Sequence, residues 1–196
     1  MKVRDSGMPD EEMWEGFFDA SAILQSFGLH DGVADLVEFG CGYGTFTLTA
    51  AGLVSGTVTA LDIEPEMVKL VKAKCRQLGV LNVQAEVRDF AAAGSGLMSD
   101  SQDAALLFNI LHHEEPVALM AEALRILKPG GRLAVIHWNY DPATPRGPAM
   151  EIRPQPAQCV AWGKLAGFEK QRQFDFKPYH YGLLFKKTAT SCSDQE

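Results

Sequence analysis

The sequence predicts an α/β protein built on a doubly wound, mostly parallel sheet of seven strands that ends in an antiparallel hairpin. Three observations carry this. Apolar runs at 34–39, 57–61, 82–87, 103–109 and 132–137 alternate with segments of helical periodicity, the pattern of a parallel sheet covered on both faces. A glycine-rich turn, "GCGYG", follows the first run directly. Two further runs, near 169–176 and 180–186, are separated only by a turn and can therefore pair as a hairpin.

The elements follow in order. Met13, Trp14, Phe17, Phe18, Leu24 and Phe27 recur at helical spacing and predict one N-terminal helix over about 10–28. Between the second and third strands, Met67, Leu70, Val71, Cys75 and Leu78 mark a helix with Pro65 near its start and Gly79 at its end. Val117, Met120, Leu124 and Leu127 mark another, opened by Pro116 and stopped by Pro129-Gly130-Gly131. A last helix runs from about Pro156 to Ala166 and ends at Gly167.

Length and composition bound the function. The 196 residues suit one domain, read here as 1–187, with 188–196 expected to be a disordered tail. The formal charge of −7 argues against a nucleic-acid partner, because phosphate backbones need a basic face. There is no run of 18 apolar residues, so no membrane span is expected, and no apolar signal core opens the chain, so a cytoplasmic location is expected. Cys41, Cys75, Cys159 and Cys192 show no paired spacing, which argues against a metal site and a disulfide framework.

Glycine weakens strands and helices alike. Gly40, Gly42 and Gly44 together therefore imply a backbone that turns sharply or approaches a ligand closely. The dinucleotide fingerprint G-x-G-x-x-G fits poorly, since the third glycine comes one residue early. A nicotinamide oxidoreductase is disfavoured on the same ground.

Five stretches in order resemble the class I S-adenosylmethionine-dependent methyltransferases. They are "EFGCGYG" after the first strand, "VTALDIEPEMV" closing the second, "EVRDF" after the third, "ALLFNILHH" at the fourth, and "LRILKPGGRLAVI" into the fifth. The resemblance covers about 34–137 and implies a Rossmann-like sheet of order 3-2-1-4-5-7-6 that binds S-adenosylmethionine. It also implies a small-molecule methyl acceptor and a monomer or homodimer. Asp62, 18 residues after Gly44, has two oxygens able to accept both ribose hydroxyl protons, the alternative being a helix N-cap. Ile63 would cover a face of the adenine. Asp89 would accept from its amino group, or cap a helix. Phe90 would flank the ring, or pack in the core. Glu38 would stand near the methionine ammonium, and Asn109 would touch the cofactor.

On the acceptor side, methyl transfer needs alignment above all, and a base only where the acceptor must lose a proton. His112 and His113 after the fourth strand and His137 at the end of the fifth are the candidate catalytic residues. His180, opening the last strand, is a candidate contact to the acceptor. The segment 139–156 holds five prolines and reads as a semi-rigid cover. Its Arg146 and Arg153 would hold an anionic acceptor, or else stand in solvent. Asn109-Ile110-Leu111-His112 departs from the Asn/Asp-Pro-Pro-aromatic motif of amino-methylating relatives. The scattered thiols fit arsenite methylation poorly. The alternative to an enzyme is a non-catalytic protein that binds the cofactor or its demethylated product.

Overall fold

A computed structural model describes residues 8–30 and 32–188. Seven strands form one sheet: β1 (Leu36–Phe39), β2 (Val58–Asp62), β3 (Val83–Val87), β4 (Gln102–Phe108), β5 (Leu127–Trp138), β6 (Phe168–Phe176) and β7 (His180–Lys187). Their order is β3-β2-β1-β4-β5-β7-β6. β7 runs antiparallel to both β5 and β6, and every other pairing is parallel.

The period-two alternation of each central strand sends side chains into two cores. Val37, Phe39, Leu61, Leu107, Leu133 and Val135 pack on one face. Leu36, Val58, Leu106, Phe108, Ala134 and Ile136 pack on the other. The first core is closed by α6 (Pro116–Ile126) and α7 (Pro156–Ala166), and the second by α2 (Ala20–Ser26) and α3 (Thr45–Ala51). Outside β2, a smaller cluster joins Ala60 to Val68, Val71 and Cys75 of α4 (Pro65–Leu78). The short α5 (Phe90–Ala93) follows β3.

Two local expectations change. The single N-terminal helix is two: α1 (Glu11–Glu15) ends at Gly16, and α2 starts afresh with Asp19, whose side chain accepts from Ala22 N. The helical spacing of Phe17 and Phe18 arises from aromatic packing across this break. Phe17 meets Trp138 edge-on at 5.2 Å, and Phe18 meets Phe46 at 5.2 Å. The "LKPGG" turn is not a stop outside regular structure. It belongs to β5, with Gly130 at φ 82° and the pairing with β4 shifting between Gln102 and Ala104.

The expected disorder of the tail, 188–196, lies outside the described residues except at residue 188. Among the described residues no helix is long and apolar enough to cross a membrane, and no cluster of His, Cys, Asp and Glu could hold a metal ion.

Candidate active site

The strand order reverses between β1 and β4, and a cleft of about 420 Å³ opens at the carboxyl ends of the strands there. The glycine loop forms its floor. Gly40, Gly42 and Gly44 all have positive φ, at 76°, 50° and 83°. Their uses differ. Gly40 and Gly42 line the cleft, whereas Gly44 does not. A Cβ on Gly44 would come within 2.9 Å of Val71 Cγ2, so that glycine lets the start of α3 pack close to α4.

Asp62 ends β2 and ties the loop to the next turn. One carboxylate oxygen accepts from Gly42 N and the other from Glu64 N, each at 2.9 Å. The N-cap of α4 is Glu64, so Asp62 is not spent on capping. Each of its oxygens keeps a second lone pair for a ligand hydroxyl. Asp89 does cap a helix, accepting from Ala92 N at 3.1 Å at the start of α5, and also lines the cleft. Phe90 lines it too, with its ring edge-on to Phe39 at 5.3 Å. Ile63 completes that wall.

Two features mark the cleft as built for a polar, cationic ligand. Glu38, on β1, is 2% exposed and accepts a hydrogen bond from the Thr47 hydroxyl. Burial drives its carboxyl up to about 8, with Thr47 opposing the rise and Asp62 adding to it. A cation placed beside Glu38 would restore the carboxylate. Asn109 has φ 55°, a left-handed conformation uncommon outside glycine, and its buried Oδ1 and Nδ2 have no hydrogen-bond partner. Thr45 Oγ1 is likewise buried and unpartnered, and both residues line the cleft. Buried polar atoms are normally satisfied, so these orphans fit a ligand's polar groups.

Of the nine residues expected to hold the cofactor, all but Gly44 line this one cleft. The acceptor side differs more. His112 and His113 line the cleft. His137 and His180 lie behind it, both buried. His180 packs on Trp138 at 4.2 Å and on Phe18 at 4.5 Å between ring centroids. Burial, with Arg153 nearby, drives the His180 imidazole down to about 3, so this residue is a neutral core group rather than a contact in the cleft.

The arginines overturn the expected anion site. Arg146 is exposed, and neither it nor Arg153 lines the cleft. Arg153 is 7% exposed and faces its own loop. It donates to the carbonyls of Asn139 (3.1 Å), Asp141 (3.2 Å), Arg146 (3.3 Å) and Pro148 (2.8 Å), and to the Thr144 hydroxyl. Loop 139–156 therefore backs the cleft instead of covering it. A Cβ on Gly147 would lie 2.9 Å from the Trp138 ring, which itself lines the cleft.

The roof comes from residues 8–15. The Met8 methyl rests against Gly42, where a Cβ would approach it to 2.9 Å, and Trp14 lines the cleft beside it. The Tyr43 hydroxyl donates to Pro9 O at 2.9 Å. Lys74 of α4 donates to Tyr43 O at 3.0 Å and pairs with Glu11 of α1. Sequence reasoning missed Met8, Thr45, Phe46, Phe108 and Trp138 as cleft residues. The one usable signal was the N-terminal run of aromatics.

Fold and cleft together define an α/β enzyme that binds a ligand at the switch point of a seven-stranded sheet through a glycine loop and two strand-end acids. A family model described as "Methyltransferase domain" matches residues 37–135, just over half of the 196. The chain belongs to that family, within the class I methyltransferases that use S-adenosylmethionine. It is 35% identical over 114 residues to a ubiquinone biosynthesis O-methyltransferase of Xanthomonas axonopodis pv. citri (strain 306), covering 56% of this chain and 45% of that one. It is 33% identical over 162 residues to an uncharacterized 37.1 kDa protein in transposon TN4556 of Streptomyces fradiae, covering 77% of this chain and 46% of that one. The chain thus spans about half the length of the curated relatives it matches. A solved S-adenosylmethionine-dependent methyltransferase from Aquifex aeolicus superposes with TM-score 0.81 at 26% identity, covering 91% of this chain and 94% of that one.

Proposed function

We propose that the chain methylates a small, uncharged, hydroxyl-bearing molecule with an apolar or aromatic body. The observation that carries this is the charge of the cleft. Its described lining holds five acids, Glu38, Asp62, Glu64, Glu66 and Asp89, and neither lysine nor arginine. An anionic acceptor would enter that field with no cationic side chain to pair with, and like charges brought together disfavour binding. Trp14, Phe46, Phe108 and Trp138 give the cleft a large aromatic lining. The O-methyltransferase name of the Xanthomonas relatives agrees with a hydroxyl acceptor.

S-adenosylmethionine supplies an electrophilic methyl group on a sulfonium. The residues of this chain bind and align. Asp62 takes the ribose hydroxyls, Asp89 the adenine amino group, and Ile63 and Phe90 the faces of the ring. Glu38 answers the positive charge of the methionine moiety. Gly40 and Gly42 allow the backbone to come close, and Asn109 offers its unpartnered amide.

The test is turnover of labelled S-adenosylmethionine with matched acceptors: catechol, and its carboxylated counterpart protocatechuate. We expect kcat/KM for catechol to exceed that for the anion by at least about tenfold. A preference for the anion would refute the acceptor class. Tight cofactor binding without turnover of any acceptor would favour a non-catalytic binding protein.

A further inference from the structure

We propose that a side cavity between α5 and α6 binds an uncharged aromatic group carried on the amino nitrogen of the cofactor's adenine; this rests on the adenine assignment made above and reaches beyond methyl transfer. The cavity has a volume of about 210 Å³ and adjoins the cleft. Phe90, Ala91, His113 and Leu119 line both. Binding and alignment of the cofactor, as described so far, leave this volume unused.

The adenine end of the cleft is the end that meets the cavity. Asp89 is the N-cap of α5, and Phe90 and Ala91 are the first two residues of that helix. An amino group held by Asp89 therefore lies beside side chains that the two volumes share. Ala91 presents only a methyl group at this boundary. The larger side chains there are fixed. Phe90 stands edge-on to Phe39 at 5.3 Å between ring centroids, and Leu119 is buried. His113 Nδ1 accepts from Glu115 N at 3.0 Å, which pins the imidazole.

Size and lining decide what enters. A dry cavity of about 150 Å³ takes a benzene ring. The volume here, about 210 Å³, holds such a ring with one methylene. Phe90, Ala91, Ala118 and Leu119 supply carbon surface for it. Two acids also line the cavity, and they differ. Glu122 is matched: its Oε1 accepts from Ser95 N at 2.7 Å, and Arg125 Nε donates to its Oε2 at 2.8 Å. Glu115 is exposed at the N-cap of α6, and its side chain makes no cap bond. Its carboxylate puts negative charge at the outer side of the cavity, which opposes an anionic substituent.

The hydrogen bonding leaves room for a substituent. The amino nitrogen of adenine carries two hydrogens. With one donated to Asp89, the other is not needed for that bond, because a carboxylate only accepts. A benzyl group in place of the second hydrogen keeps the bond to Asp89 and enters the side cavity across the shared boundary. The ligand class is thus adenosine derivatives bearing one arylmethyl group on the amino nitrogen.

The experiment measures, by calorimetry on the full chain, the affinity for S-adenosylhomocysteine and for the same molecule with a benzyl group on the adenine amino nitrogen. The wild type should bind the benzyl derivative no more than about threefold more weakly than the parent. Ala118 lines the side cavity but not the cleft, and it is exposed on the first turn of α6, so a larger side chain there fills the cavity without entering the core. Ala118→Phe should keep affinity for the parent and lose at least about tenfold for the benzyl derivative. Ala118→Leu, a stronger helix former, should show the same split and covers the case of a phenylalanine variant that misfolds. A para-carboxyl on the ring should weaken binding to the wild type by at least about threefold, and Glu115→Gln should recover that loss. A wild type that binds the parent but loses about tenfold or more with the benzyl group would overturn the proposal. So would a leucine variant that binds both molecules as the wild type does, since the ring would then lie elsewhere. Equal affinity for the carboxylated ring would overturn its place beside Glu115. A wild type that binds neither molecule would overturn the cofactor assignments themselves.

Discussion

Replacing Glu38 with glutamine removes a carboxyl that the ligand-free fold holds protonated near neutrality. Burial raises it from 4.5 to about 8. The folded state therefore keeps this proton at a pH where the unfolded chain has lost it. Stability from this group is fully present below about pH 4.5 and falls as pH rises to about 8, where the folded carboxyl itself ionises. At about 1.4 kcal/mol per pH unit, and less near pH 8 where the folded carboxyl is half ionised, the span from pH 6 to 8 is worth about 2 kcal/mol. For a domain of this size that is about 4–8 °C in Tm. The assay is a thermal melt of ligand-free wild type and Glu38→Gln across pH 6–8. The wild type should lose about that much relative to the variant. Binding of a cation beside Glu38 reverses the effect, so at pH 7 the wild type should release close to one more proton on cofactor binding than the variant does. Calorimetry in two buffers of different ionisation enthalpy reads this directly. Parallel Tm profiles together with equal proton release would refute both the buried acid and its pairing with the cofactor's charge.

Three further outcomes are expected. Asp62→Ala should weaken S-adenosylhomocysteine binding at least about tenfold by calorimetry, since bonds to a carboxylate are worth roughly 1.5–3 kcal/mol each; unchanged affinity would remove the ribose assignment. Arg153→Met should lower Tm by several degrees by leaving at least four loop carbonyls short of a donor, and Arg153→Lys should rescue poorly, having no planar fork; cofactor affinity should stay within about twofold, and a large fall in affinity with Tm intact would return this arginine to the binding site. Gly182→Val should destabilise by about 1–3 kcal/mol in a denaturant melt, because a Cβ there would lie 2.9 Å from the Phe27 ring and closer still to Phe176; a neutral result would show that the aromatic cluster yields easily.

The strand order and the glycine loop were legible because each depends on neighbours in sequence. An apolar run, a glycine turn and a closing acid reveal a strand end wherever they occur, and the sheet then brings Glu38, Asp62, Asp89 and Asn109 to one rim. The acceptor wall was not legible, because Trp14, Phe46 and Trp138 come from three elements with no shared motif. Arg153 misled for a related reason. A proline-rich segment with a cation looks the same whether the guanidinium faces a ligand or the carbonyls of its own loop, and only the turn geometry decides. At 16–19 the helical spacing ran on through a helix break, since Phe17 and Phe18 pack against β5 and α3 and not along one helix. The crowding at Gly44 was not legible either, because its neighbour, Val71 of α4, is distant in sequence.

The docking of residues 8–15 on the glycine loop bears on how the protein should be handled. Met8 lies on Gly42, and Pro9 is held by Tyr43, so changes at these two positions are made at the cleft itself. Truncation into residues 8–9 would remove part of the roof and alter cofactor exchange. The far end of β7 is safer ground. β7 begins at His180, opposite the cleft-lining Trp138, and runs down to Lys186, opposite Arg132, so the chain leaves the sheet at the edge away from the cleft. Labels placed at the Lys186 end of β7 leave the entrance as the sequence built it.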